Sequence, residues 1–118
     1  MRDPEKLRVY LQAQDLAVGV YELCRKLRGE EDINLRMQMR RAADSIPDNI
    51  AEGCCRETQK EYVRALDFST GSGAELRGQL KRTIRIFQGI PEIEDTIEET
   101  NSVMRQLASL KSSLRSGR

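Results

Sequence analysis

Histidine and tryptophan are absent from the chain. Without histidine there is no Ser–His or Cys–His nucleophilic pair, no HExxH zinc site and no Glu-x-x-His di-iron motif. Aromatic residues are few: Tyr10, Tyr21, Tyr62, Phe68 and Phe87. The core must therefore be aliphatic, which suits helices better than a β-sandwich. Cysteine is limited to Cys24, Cys54 and Cys55. An odd count with an adjacent pair forms neither a disulfide framework nor a zinc spacing, so small buried hydrophobes in a reducing cytoplasm are expected. No run approaches the roughly 18 apolar residues of a membrane span, and the opening MRDPEKLR is too charged for a signal peptide. No membrane contact, no metal and no cofactor are expected. An excess of one charge is also missing. The formal net charge is +1 although a third of the residues are charged, so any basic site must be local.

What is present is helical periodicity around Gln38–Gly53, QMRRAADSIPDNIAEG. Met39, Ala42, Ala43, Ile46 and Ile50 recur at steps of three and four, with Pro47 between them. A mid-helix proline costs roughly 3 kcal/mol, so the segment reads as a kinked helix held by tight packing. The pattern predicts four helices in one domain over 1–118, at about 4–27, 35–54, 59–87 and 91–115. Asp3 and Pro4 suit the first start, Gly29 and Gly89 suit helix ends, Thr58 with Glu61 forms a capping box, and Pro91 suits a first turn. Short turns make successive helices antiparallel neighbours. The expected fold is all-α: an antiparallel up-down-up-down four-helix bundle, with helix two kinked at Pro47.

Several features carry two readings. Helix one has an apolar stripe through Leu7, Tyr10, Ala17, Val20, Cys24 and Leu27, and a second seam at Val9, Leu16 and Leu23. The second seam is either an interface with another subunit or part of one wide core-facing stripe. On helix two, Arg40, Asp44, Asp48, Glu52 and Arg56 lie four apart, which reads as a salt-bridge ladder or a weak divalent-cation face. The Ser69–Ala74 stretch, STGSGA, reads as a close helix approach opposite Pro47 or as a phosphate loop; it lacks the lysine and spacing of a Walker loop. On helix three, Arg77, Lys81, Arg82 and Arg85 form a basic run with no acid between Glu75 and Glu92. It is a nucleic-acid face, to which Arg40 and Arg41 could add, or a solvated face paired with the acidic start of helix four.

The middle of the chain resembles the small four-helix-bundle proteins found as open reading frames in intervening sequences of bacterial 23S ribosomal RNA genes. The resemblance is carried by Gln38, Arg40-Arg41-Ala42, Ser45-Ile46-Pro47, Asn49-Ile50-Ala51-Glu52-Gly53, Arg56 and Glu61. It continues through Leu66, Gly71-Ser72, Ala74-Glu75-Leu76 and Gln79-Leu80. The opening Leu7-x-Val9-Tyr10 with Asp15-Leu16 is similar too, so the likeness runs from about Leu7 to Leu110. It implies an antiparallel bundle assembled as a homopentamer. It also implies kinship with the accessory proteins of diversity-generating retroelements, which are basic, bind RNA or DNA and bind a reverse transcriptase. The near-neutral charge of this chain departs from those proteins.

Two functions follow as expectations. One is a non-enzymatic homo-oligomer, pentameric by the resemblance, that associates with nucleic acid and serves a reverse transcriptase. The alternative is a scaffold oligomer that holds a protein partner without touching nucleic acid. An enzyme ranks third: Glu52, Glu61 and Glu75 offer carboxylates, but no nucleophile–base pair accompanies them.

Overall fold

A computed structural model describes residues 2–27, 29 and 32–117. After a 3₁₀ turn at Pro4–Lys6 come α1 (Arg8–Lys26), α2 (Ile33–Cys54), α3 (Gln59–Ile86) and α4 (Pro91–Arg115). Among the described residues there is no strand. Each helix packs on its neighbours in sequence and α1 closes on α4, which makes an up-down-up-down bundle 47 Å long and 20 Å across.

The helix ends follow from local chemistry. Asp3 accepts a hydrogen bond from the Glu5 amide at 3.0 Å, but it caps the 3₁₀ turn, so α1 starts four residues later than the proline suggests. Arg36 donates to the carbonyls of Leu27 (2.7 Å) and Gly29 (3.0 Å), placing a cation on the unsatisfied end of α1. Gly29 takes the positive φ (137°) that lets the chain leave the helix. Thr58 is the predicted N-cap: the Glu61 amide donates to its Oγ1 at 3.1 Å. The Glu61 carboxylate accepts from that hydroxyl at 2.8 Å rather than from the Thr58 amide, so half of the predicted capping box forms.

The core is aliphatic, with Leu16, Val20, Met39, Ile46, Ile50, Leu66, Leu76, Leu80, Ile93 and Leu107 fully enclosed. Val9, Leu16 and Leu23 belong to this same core at 5%, 0% and 2% exposure, so their assignment to a subunit interface is corrected. The physical reason is the square packing. α1 has both α2 and α4 beside it, and the arc it buries is wide enough to take in both stripes.

α2 is helical on both sides of Pro47, which is itself buried. Ser69 of α3 donates to the Ile46 carbonyl at 2.8 Å, so a small polar residue meets the proline region. The glycines of STGSGA do other work. A methyl on Gly73 would come within 2.9 Å of Met104 Cγ on α4, so that approach is to α4 rather than to Pro47. Gly71 lies in open space, and the stretch is continuous helix rather than a phosphate loop. The tight α2–α3 contact is instead at Gly53, where a Cβ would lie 2.8 Å from Ala65 Cβ.

Candidate nucleic-acid interface

The four cations of helix three share the second half of α3, which continues to Ile86 without an acidic residue after Glu75. Arg77 donates to Asn101 of α4 at 3.2 Å, which fixes its edge of the helix. Lys81 and Arg85 are one and two turns further on, along the same α4-facing edge. Arg82 sits on the outer ridge. Lys81, Arg82 and Arg85 are exposed, and among the described residues none of the four has a carboxylate within 4.0 Å. The expected pairing with the acidic start of α4 is therefore not made. Glu92 pairs instead with Lys26 of α1, whose ammonium holds the Glu92 carboxyl below its ordinary range.

Arg40 and Arg41 do not join this group. Arg40 turns toward α1 and lies 4.0 Å over the Tyr21 ring, a cation–π contact. Arg41 is exposed on α2. The acidic face of α2 also resolves differently from an even ladder. Asp44 accepts from Tyr21 Oη at 3.1 Å, Glu52 pairs with Arg56, and Asp48 is exposed. Among the described residues, no three histidine, cysteine, aspartate or glutamate side chains gather where they could hold a metal ion.

Two polar seams lie elsewhere. Between α2 and α3, Asn49 donates to Ser45 Oγ (2.9 Å), Ser45 and Ser72 share a bond of 2.7 Å, and Ser72 reaches the Phe68 carbonyl (3.1 Å). The direction is consistent: each hydroxyl accepts once and donates once. Between α1 and α4, Gln12 binds Ser102 at 3.1 Å and accepts from Gln106. On that side burial, then the nearby Asp15 carboxylate, pushes the Glu99 carboxyl up.

The cysteines have separate fates. Cys24 and Cys54 are buried and Cys55 is exposed. Burial raises the Cys54 thiol, and the neighbouring Tyr62 hydroxyl offsets part of that rise. The N-terminal segment straps this end, with the Arg2 amide on the Cys54 carbonyl (3.1 Å) and its guanidinium 4.1 Å from the Tyr62 ring centroid.

The interface candidates that sequence reasoning missed are on the outside of α1. Leu11 (44%), Val18 (58%) and Tyr21 (36%) are exposed, together with Ile33 and Met37 on α2 and Phe68 (56%) and Ile86 on α3. The signal was the seven-residue step from Leu11 to Val18, which a polar Gln14 interrupts. No helix of the described residues is long and apolar enough to cross a membrane.

A family model described as "23S rRNA-intervening sequence protein" matches residues 5–109. Among solved structures, a protein of unknown function from the S23 ribosomal protein family of Bacteroides thetaiotaomicron VPI-5482 superposes with a TM-score of 0.80. The alignment covers 87% of this chain and 97% of that one at 20% identity, a likeness of fold. No curated protein matches the chain.

Proposed function

The chain belongs to the 23S rRNA-intervening sequence protein family, and from that premise we propose that it is a non-enzymatic homo-oligomer that binds nucleic acid through the basic face of α3. The observation that carries this reading is the set Lys81, Arg82 and Arg85: exposed cations on one helix with no carboxylate partner among the described residues. Holding like charges side by side is mildly unfavourable in the free protein and is relieved when a phosphate backbone supplies the counter-charge. An oligomer repeats the face, so the balanced charge of one chain does not prevent a strong local field. The resemblance to retroelement accessory proteins names a reverse transcriptase as the protein partner to test, and a pentamer as the expected assembly.

The test replaces Arg77, Lys81 and Arg85 together by glutamine and measures binding to duplex DNA and to structured RNA by fluorescence anisotropy. Each phosphate that the variant no longer neutralises lowers the slope of log K against log salt by roughly 0.9 on duplex DNA. The expected result is weaker, less salt-dependent binding with an unchanged circular dichroism spectrum. Unchanged affinity and slope in a folded variant would overturn the assignment of these residues.

A further inference from the structure

The seven exposed large apolar side chains of the described residues form two strips. The first runs along α1 through Leu11, Val18 and Tyr21 and continues on α2 at Met37 and Ile33. Val18 and Tyr21 line a groove of ≈ 490 Å³ together with Ala17, Arg25 and the carboxylates of Glu22 and Asp44. The second strip is Phe68 and Ile86, on the edge of α3 that faces α2. Phe68, Ser72, Glu75 and Gln79 follow one another there at steps of four, three and four, and Ser72 reaches Ser45 of α2.

This second strip holds an incomplete site. Gln79 is 3% exposed, and its Oε1 is the one buried side-chain polar atom without a hydrogen-bond partner among the described residues. Its amide nitrogen already donates to Glu75 at 3.3 Å, so turning the amide over would only set two oxygens face to face. A donor must come from outside this set of side chains, since an orphaned buried acceptor costs about 1–3 kcal/mol. Glu75, exposed beside it, has no cation within 4.0 Å among the described residues. A cationic donor would satisfy the Gln79 oxygen and the Glu75 carboxylate together.

We propose that the two strips are the two halves of one interface between copies of this chain. The Val18–Tyr21 groove of one copy receives Phe68 of the next, and Arg25 beside that groove donates to Glu75 and Gln79. This deepens the homo-oligomer reading above, on which it rests. The heights of the residues carry it. Tyr21 of α1 and Ser72 of α3 both meet the Asp44–Ser45 step of α2, and α1 and α3 run parallel. At 1.5 Å per residue, Val18 and Phe68 each lie about 5 Å to one side of that level. Arg25 and Glu75 each lie about 5 Å to the other side, with Gln79 one turn beyond. Met37, Ile33 and Ile86 extend both strips toward the same end. A rotation axis parallel to the bundle keeps every residue at its own height, so successive copies set apolar against apolar and cation against carboxylate without sliding. Because the two surfaces differ, the contact is head-to-tail, and without sliding along the axis it closes as a ring when the rotation between copies divides a full turn. A guanidinium fork spans the Glu75 carboxylate and the Gln79 oxygen once the exposed Glu75 side chain takes a new rotamer. The basic edge of Arg77, Lys81 and Arg85 faces α4, away from this contact, whereas Arg82, between Gln79 and Ile86 at steps of three and four, borders it.

The test uses Val18→Glu and Phe68→Glu, each changing a side chain more than half exposed, with masses read by native mass spectrometry. Wild type is expected as an oligomer and each variant as a monomer with an unchanged circular dichroism spectrum. Mixed in equal amounts, the variants retain one intact pair of surfaces, the Phe68 edge of one and the Val18 groove of the other. They are expected to form a dimer of one chain of each kind. In a second pair, Arg25→Glu is expected to dissociate the ring and Arg25→Glu with Glu75→Arg to restore it. A wild-type monomer would overturn the oligomer reading itself. A wild-type oligomer that either glutamate variant leaves intact would overturn these faces alone, as would a mixture that stays monomeric.

Discussion

One methyl group, added at each of four helical glycines, should change stability in different directions. Gly71 and Gly78 lie within α3, and an added Cβ meets nothing within 4 Å at either. Alanine there gains the helix preference of about 1 kcal/mol over glycine with nothing to offset it. For 118 residues, an unfolding entropy of about 2.1 cal/mol/K per residue converts that gain to a rise of about 4 °C in Tm. Gly53 reverses the sign. Its Cβ would stand 2.8 Å from Ala65 Cβ and 3.0 Å from the Tyr62 ring, and the alanine atom cannot move without its backbone. Overpacking of this kind costs about 1–3 kcal/mol. Gly53 is also next to last in α2, where the propensity gain is smallest. The net expectation is a loss of about 1–2 kcal/mol, or a Tm fall of about 4–8 °C. Gly73 should come out near zero, because the atom it meets belongs to Met104, whose flexible chain can repack. Calorimetric melts of the four alanine variants provide the assay. If Gly53→Ala melted as high as Gly78→Ala, the close α2–α3 approach at this end would be refuted.

Other expected outcomes concern the core and the titrating groups. Leu16→Ala and Leu23→Ala should each cost about 2–5 kcal/mol in urea unfolding, as for enclosed leucines; a change in oligomer mass with wild-type stability would contradict their place in the core. A thiol reagent at neutral pH should modify Cys55 rapidly and leave Cys24 and Cys54 protected until unfolding, because those two are buried and burial pushes their thiols up. Equal rates at all three would refute this. Tyr62 is held protonated to about 12, first by burial and then by the Cys54 thiol, against about 10 in the unfolded chain. The folded state therefore binds more protons between these values, so this stabilisation is complete below pH 10 and declines as pH rises toward 12. Tyr62→Phe should remove that part of the alkaline decline, and an unchanged stability profile would count against it.

How far the sequence carried can be judged at particular residues. The α2 stripe from Met39 through Ile50, the Thr58 cap and the bundle topology were readable because each depends on local spacing or on short turns. What depends on how helices turn toward one another was not. Val9, Leu16 and Leu23 sit seven apart, as interface residues would, and only the square packing shows that two neighbours enclose them. Gly73 was correctly read as a close approach, but the helix it approaches is α4. Arg40 is four residues from Asp44, yet it stacks on Tyr21 across the α1–α2 groove, a contact that no spacing within α2 encodes. The basic run on α3 was legible as a run. That Arg77, Lys81 and Arg85 keep to the edge beside α4, while Phe68, Glu75 and Gln79 occupy the edge beside α2, required the contacts to Asn101 and Ser45.

The most direct measurement is the fluorescence anisotropy of labelled duplex DNA, single strands and structured RNA with the wild-type protein across a salt series. The account predicts saturable binding at low salt that weakens steeply as salt rises, with a slope corresponding to several phosphates for each oligomer bound. Flat anisotropy for every nucleic acid at the lowest salt would contradict it and leave the scaffold reading, with a protein as the partner to seek.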